Sequence, residues 1–208
     1  MVASHDSFTY LNPDDLWMKL LTPFWRCQSL TICEQYNLGV RYFDIRVRRS
    51  KKAGLFNKIF NRYDDKFKWS ICHGIIQLDF IKFDNIEYIC KYFKDYFPDA
   101  YYRIYLESGN SEIKEEFKRQ IIKLEKKYPK LCWYGYKIPW VTLYMNIPVK
   151  EIKDLTCKLF NWSHERSFIK NIKNFKFNTI KEYSKNNPKI TEEMINDNNI
   201  LYFMDYIK

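Results

Sequence analysis

The sequence is poor in the features that would place it in several common classes. No stretch approaches the roughly 18 apolar residues of a membrane-spanning helix. The opening Met1-Val2-Ala3-Ser4-His5 has neither the charged region nor the apolar run of a secretory signal. The chain is therefore expected to be soluble, cytoplasmic or peripheral at a membrane, with secretion left open. Its six cysteines (Cys27, Cys33, Cys72, Cys90, Cys132, Cys157) form no C-x-x-C pair and no metal-type spacing, which argues for buried, reduced thiols. No Ser/Gly linker, internal repeat or composition break divides the 208 residues, so a single domain spanning 1–208 is expected. No nucleic-acid-binding motif is recognisable, and no nucleic-acid partner is expected.

What is present is enough apolar material for a core and an excess of positive charge. The apolar share is 46%, which excludes intrinsic disorder as the main state. The net charge of +10 favours a polyanionic partner, either nucleic acid or an anionic phospholipid head group or membrane surface. A coding bias toward lysine and asparagine accounts for the same charge without a partner.

Along the first half, strands and helices alternate. Val2–Ser4 reads as an extended start, and Asn12-Pro13-Asp14-Asp15 reads as a helix start ahead of Leu16, Trp17, Leu20 and Leu21. A second helix over Ser29–Tyr36 would end at Gly39. Val40–Val47 has strand composition, Lys68–Cys72 is a third short strand, Phe83–Phe97 has helical spacing, Tyr101–Leu106 is a fourth strand and Ser111–Tyr128 an amphipathic helix. This order predicts parallel strands with helical crossovers, an α/β barrel or a doubly wound sheet. Beyond Pro129, Leu131–Tyr136 and Val141–Met145 read as strands, Val149–Phe160 as a helix and Ile200–Ile207 as a final strand. Eight complete βα units need about 250 residues, so a barrel here would be small or irregular.

The polar residues fall at strand ends. His5-Asp6 follows the first strand, Asp44-x-Arg46 closes the second, His73-Gly74 the third and Glu107 the fourth, while Asp205 lies in the last. In a parallel barrel those ends converge on one mouth, where histidines, a guanidinium and carboxylates together suit a phosphate. Taken singly, each has an ordinary structural reading: a histidine is more often a satisfied structural group, and a strand-end Asp or Arg is usually ion-paired.

Three segments in order, Ala3-Ser4-His5-Asp6-Ser7, Gln35 to Arg46 (ending Arg41-Tyr42-Phe43-Asp44-Ile45-Arg46) and Cys72-His73-Gly74, resemble the X-domain core of bacterial phosphatidylinositol-specific phospholipases C. The resemblance covers roughly residues 1–107 and thins afterwards to Ile138–Leu143 and Met204-Asp205-Tyr206-Ile207. It implies a small TIM-type (β/α) barrel and a phosphodiesterase that cleaves an inositol phospholipid through a cyclic inositol phosphate, releasing diacylglycerol. It implies His5 as general base, His73 as general acid, Arg46 on the phosphoryl oxygens, Asp205 behind His5 and Asp6 behind His73. Glu107 stands where a basic residue is often found in the family, and would hold Arg46 or a sugar hydroxyl. No metal is expected, because Arg46 stands where calcium-dependent members carry an acid; if calcium were used, Asp6, Asp44 and Glu107 are the oxygen ligands.

Arg48 to Phe60 mixes basic and large apolar residues, the composition of an interfacial anchor or of a packed hairpin. Trp69, Trp133, Trp140 and Trp162 read as core or rim, and His164 has no supporting motif. A monomer is expected. Two alternatives stand beside the phospholipase reading: a glycerophosphodiester phosphodiesterase-like hydrolase, and a catalytically inactive module that binds anionic lipid.

Overall fold

Charged residues alternate with apolar ones along the second strand, and both kinds are buried. A strand covered on both faces explains this: successive side chains point to opposite sides, and here each side meets protein. The computed structural model describes residues 1–13, 16–52, 62–74, 76–131, 156–160, 179–180, 184–197 and 199–208. Seven strands form one mixed sheet: β1 (Val2–Ser4), β2 (Val40–Arg49), β3 (Trp69–His73), β4 (Ile76–Phe83), β5 (Tyr101–Ser108), β6 (Thr156–Phe160) and β7 (Ile200–Met204). Helices α1 (Leu16–Leu20), α2 (Thr22–Trp25), α3 (Ile32–Asn37), α4 (Glu87–Tyr96), α5 (Ser111–Lys127) and α6 (Glu192–Asn196) lie between or beside them.

Five strands run parallel in the order β5-β2-β1-β7-β6. The arc does not close on itself among the described residues. One side of β2 packs on helices: Phe43 meets Phe93 of α4 at 5.3 Å between ring centroids and Phe97 at 6.4 Å. Tyr102 of β5 stacks on Phe93 at 4.6 Å, and Trp69 of β3 meets Phe117 of α5 edge-on at 5.9 Å. The positions between these carry Asp44, Arg46, Arg48 and, on β5, Arg103, Tyr105 and Glu107, which line the opposite face. Apolar residues thus hold the sheet to its helices and leave the other face for charge.

Helix ends follow local chemistry. Thr31 caps α3 in a capping box with Glu34, and Asn110 caps α5 by accepting from the Ile113 amide at 3.0 Å. Gly39 after α3 sits at φ +94, a left-handed backbone that favours glycine, and a Cβ there would press on the Ile195 side chain of α6.

Several elements depart from expectation. β3 runs antiparallel to β2 and turns back into β4, so Lys68–Cys72 is one arm of a hairpin and not a third parallel strand. The ladder continues into the connection, where the Ser50 amide donates to the Lys68 carbonyl at 3.0 Å and Lys51 bridges Tyr63 antiparallel, and the short turn at Gly74 (φ +58) sends β4 back along β3. Ile76–Phe83 is a strand, so the helix expected from Phe83 begins only at Glu87. β2 continues three residues past Arg46, to Arg49, because β3 pairs with Val47–Arg49. The expected helix over Val149–Phe160 is replaced at its C-terminal end by β6, whose Thr156–Phe160 pairs with β7. The final strand stops at Met204, and Cys33 is exposed while Cys27, Cys72 and Cys90 are buried. The expected strands at 132–136 and 141–145, the segment 53–60, Trp133, Trp140, Trp162 and His164 lie outside the described residues. No helix among the described residues is long and apolar enough to cross a membrane.

Candidate active site

The register of β1 against β7 brings His5 to Asp205. Ser4 pairs with Met204, and the next amide, His5 N–H, donates to the Met204 carbonyl at 3.0 Å. Each strand then ends in a left-handed residue, Asp6 (φ 48) and Tyr206 (φ 45), which stops the ladder immediately after His5 and Asp205. Gln28 ties the two ends together: its Nε2 donates to the His5 and Met204 carbonyls at 3.0 and 2.8 Å, and its Oε1 accepts from the Ile207 amide.

His5 Nδ1 lies 2.7 Å from Asp205 Oδ1, and Arg46 Nη2 lies 2.8 Å from His5 Nε2. A guanidinium has only donors, so Nε2 presents a lone pair and Nδ1 carries the proton toward Asp205. This is the tautomer a general base requires. On the other side, His73 Nδ1 is 2.5 Å from the Trp25 carbonyl oxygen, and its Nε2 is 3.2 Å from Asp6 Oδ2. The latter is an ion-pair contact without the alignment of a hydrogen bond. Both His73 nitrogens face acceptors, an arrangement that the doubly protonated ring satisfies.

Between the histidines stands Arg46. Its Nε and Nη2 each donate to Asp44 Oδ2 at 3.1 Å, its Nη1 donates to Glu107 Oε1 at 2.5 Å, and its Nε is 3.8 Å from Asp6 Oδ2. The three carboxylates expected as alternative calcium ligands, Asp6, Asp44 and Glu107, therefore surround the guanidinium. Glu107 is the extra residue of β5 at a register irregularity, where Val47 pairs with Leu106 and Arg48 with Ser108. Such bulges commonly re-aim a side chain beside a site.

The electrostatics follow from burial and neighbours. Burial pushes the Asp44 carboxyl up, but Arg103 and Arg46 outweigh it and hold Asp44 well below the usual carboxylate range. Burial likewise opposes ionisation of Glu107, and Arg46 overcomes it, leaving the carboxyl lowered. Asp6 goes the other way: burial raises its carboxyl against the opposing pull of His73, Arg46 and His5. Arg46 is held firmly charged by Asp44, Asp6 and Glu107 despite its burial.

All the residues singled out from the sequence, His5, Asp6, Asp44, Arg46, His73, Glu107 and Asp205, meet at this one place. Others were not anticipated. Arg103 Nε donates to Asp44 Oδ1 at 2.5 Å, and the two are register partners on β5 and β2. A lone arginine inside the apolar run Tyr101–Leu106 is the signal that could have found it. Cys27 is fully buried between the two His/carboxylate pairs. Its Sγ forms one close group with His5 and Asp205 and another with Asp6 and His73, the ligand atoms of each lying within 4.8 Å of one another. A thiol, an imidazole and a carboxylate at that separation are a donor set suited to zinc. Burial, with Asp205 and Asp6, pushes the Cys27 thiol well up, so it carries its proton.

No protein-family model and no curated protein matches the chain. Among solved structures it is similar to the phosphatidylinositol-specific phospholipase C from Listeria monocytogenes, at 15% sequence identity and a TM-score of 0.54, over 100% of this chain and 88% of that one. At that identity the likeness is one of fold, and the chain has a phospholipase C-like, mixed α/β fold.

Proposed function

We propose that the protein is a metal-independent phosphodiesterase that cleaves an inositol phospholipid by intramolecular transfer. The observation that carries this reading is two histidines, each backed by a carboxylate, on either side of one guanidinium: Asp205 at 2.7 Å from His5, Asp6 at 3.2 Å from His73, and Arg46 within 2.8 Å of His5. The fold shared with the Listeria enzyme supports it, and the five parallel strands are read as an arc of a small, irregular barrel formed by one domain.

In the proposed step His5 Nε2 takes the proton of a ring hydroxyl next to the phosphodiester. The hydroxyl oxygen attacks phosphorus, the bond from phosphorus to the glycerol oxygen breaks, and His73 gives that oxygen its proton. The products are a cyclic phosphodiester and diacylglycerol. The nucleophile is already part of the substrate, so proximity supplies much of the rate, and each proton transfer adds roughly 10²–10⁴-fold. Arg46, a permanent cation among three carboxylates, takes the place a metal would have near them, which favours this reading over a glycerophosphodiester phosphodiesterase that relies on acidic metal ligands.

A lipid surface as partner is supported by α1. Trp17 is 73% exposed, Leu20 71% and Leu21 48%, with Lys19 beside them. Helix α2 follows directly and ends at Trp25, whose carbonyl meets His73. An apolar, basic patch one helix away from the acid side of the site suits docking at an anionic bilayer.

One observation favours the inactive lipid-binding module instead: every nitrogen of Arg46 already has a partner in Asp44, Glu107 or His5. The deciding experiment incubates the protein with phosphatidylinositol vesicles, with and without a chelator, and follows cyclic inositol phosphate by phosphorus NMR. Product under both conditions is expected. No product under either leaves the binding module, and product only without chelator overturns metal independence.

A further inference from the structure

Two residues beyond Arg46, β2 carries a second buried guanidinium, Arg48, which forms no ion pair among the described residues. Arg48 is 4% exposed. Its Nη1 donates to the Gly74 carbonyl at 3.1 Å, its Nε has no hydrogen-bond partner, and among the described residues no carboxylate lies within 4 Å of it. Arg46 is the opposite case, ion-paired to Asp44 and Glu107 and close to Asp6. Arg48 pairs with Ser70 of β3 and Ser108 of β5 and leaves the same face of β2 as Arg46, by the two-residue period of a strand. Its anchor, Gly74, is the residue after His73. The charges bearing on the Cys72 thiol are Glu107, Arg48, Asp6 and Arg46, so Arg48 belongs to the same cluster.

A buried cation without a counter-charge is costly, and a protein keeps one where a ligand supplies the missing charge. An arginine with unused donors is suited to phosphoryl oxygens in particular, through paired N–H bonds. We propose that Arg48 is a phosphate-binding guanidinium, which meets a non-bridging oxygen of the scissile phosphodiester on the His73 side. Arg46, with its nitrogens committed, then keeps His5 and the carboxylates in place, and Arg48 answers the charge that arrives with the substrate. This assignment rests on the phosphodiesterase reading above.

The test has a binding arm and a turnover arm, each with wild type, Arg48→Lys and Arg48→Met. In the first, thermal unfolding of the full chain is followed across a titration of inorganic phosphate. Wild type is expected to be stabilised by phosphate, Arg48→Lys partly so, and Arg48→Met to need at least about tenfold more phosphate for the same shift, since charge-assisted bonds are the strong ones. Without phosphate, Arg48→Met is expected to melt no lower than wild type, because it removes an uncompensated charge. In the second arm, Arg48→Met should lower kcat/KM by roughly 10²–10³-fold, the scale of one transition-state donor, equally on phosphatidylinositol and on phosphatidylinositol 4-phosphate.

An unchanged phosphate titration in Arg48→Met overturns the proposal. So does a lower melting point with unchanged phosphate binding, which would make Arg48 a strut for Gly74. A loss confined to the ring-phosphorylated lipid assigns Arg48 to a second phosphate and also overturns it. If wild type turns over neither lipid while phosphate binding still falls in Arg48→Met, the phosphodiesterase reading fails and the anion site stands.

Discussion

His5 and Asp205 are 200 residues apart in sequence and 2.7 Å apart in space. Parallel register between β1 and β7, terminated on both strands by a left-handed residue, sets that contact. Asp205 faces Nδ1 and leaves Nε2 as the nitrogen assigned the base role in the proposed reaction. Asp205→Asn, which can donate where the carboxylate accepts, should favour the wrong tautomer. We expect kcat on phosphatidylinositol to fall by roughly 10²–10⁴-fold with KM little changed. A loss under tenfold in steady-state kinetics would remove the pair from the mechanism.

Asp44 and Asp6 should respond to neutralisation with opposite signs. The Asp44 carboxyl is lowered in the fold, so its stabilising contribution is present above the unfolded value of about 3.9 and is lost as pH falls below it. Asp44→Asn at neutral pH removes the carboxylate that Arg103 and Arg46 share and should cost roughly 3–5 kcal/mol, the range for breaking a buried pair. The Asp6 carboxyl is raised, so the folded state holds its proton more tightly and stability falls as pH rises from about 3.9 through the folded value. Asp6→Asn should therefore unfold at an equal or higher urea concentration than wild type at pH 7, and asparagine accepts the left-handed backbone there. Its turnover should still drop, because His73 loses its counter-charge. Urea midpoints that fall for both variants would contradict the assignment for Asp6.

The cysteines should separate by accessibility. Cys33 is exposed, whereas Cys27, Cys72 and Cys90 are buried with thiols pushed upward by desolvation, Cys90 to about 12. Thiolate is the reactive form. Brief treatment of the folded protein with iodoacetamide at pH 8, read by peptide mass spectrometry, should modify Cys33 and leave those three until denaturant is added. Early modification of Cys27 would show that water reaches the space between the His/carboxylate pairs.

The α1 patch should govern adsorption to lipid. Transfer of a large apolar side chain is worth about 1.5–3 kcal/mol, so Trp17→Ala with Leu20→Ala should weaken partition to anionic vesicles by roughly 10²–10⁴-fold, measured by co-sedimentation. Both side chains are exposed, so the melting temperature should stay close to wild type. Unchanged partition would move the lipid contact elsewhere on the surface.

How much of this was readable in advance depends on the range of the interaction. Period-two alternation along Val40–Arg49 and Tyr101–Ser108, and the capping chemistry at Thr31 and Asn110, are local, and they determine strands and helices wherever the chain folds. The residues of the candidate site were legible because His5, Asp6, His73 and Glu107 come at or near strand ends, while Asp44 and Arg46 are charges set inside the strand-like run of β2. Partnership was not. Pairing of Arg103 with Asp44 is a matter of register between β5 and β2, and the seat of Cys27 between two histidines depends on where α2 lands. The direction of β3 is not legible in a short apolar strand, which carries no sign of whether its neighbour runs with it or against it; the pairing of Val47–Arg49 with Trp69–Ile71, continued by Ser50 and Lys68, decides that. Exposure of Trp17 and Leu20 and the lack of an ion pair to Arg48 among the described residues also belong to the tertiary structure. Sequence by itself determined which titratable and charged groups stand in the candidate site. Only the packed sheet decided which of them are already neutralised by one another and which still lack a partner, because that balance is set by distances across strands far apart in the chain.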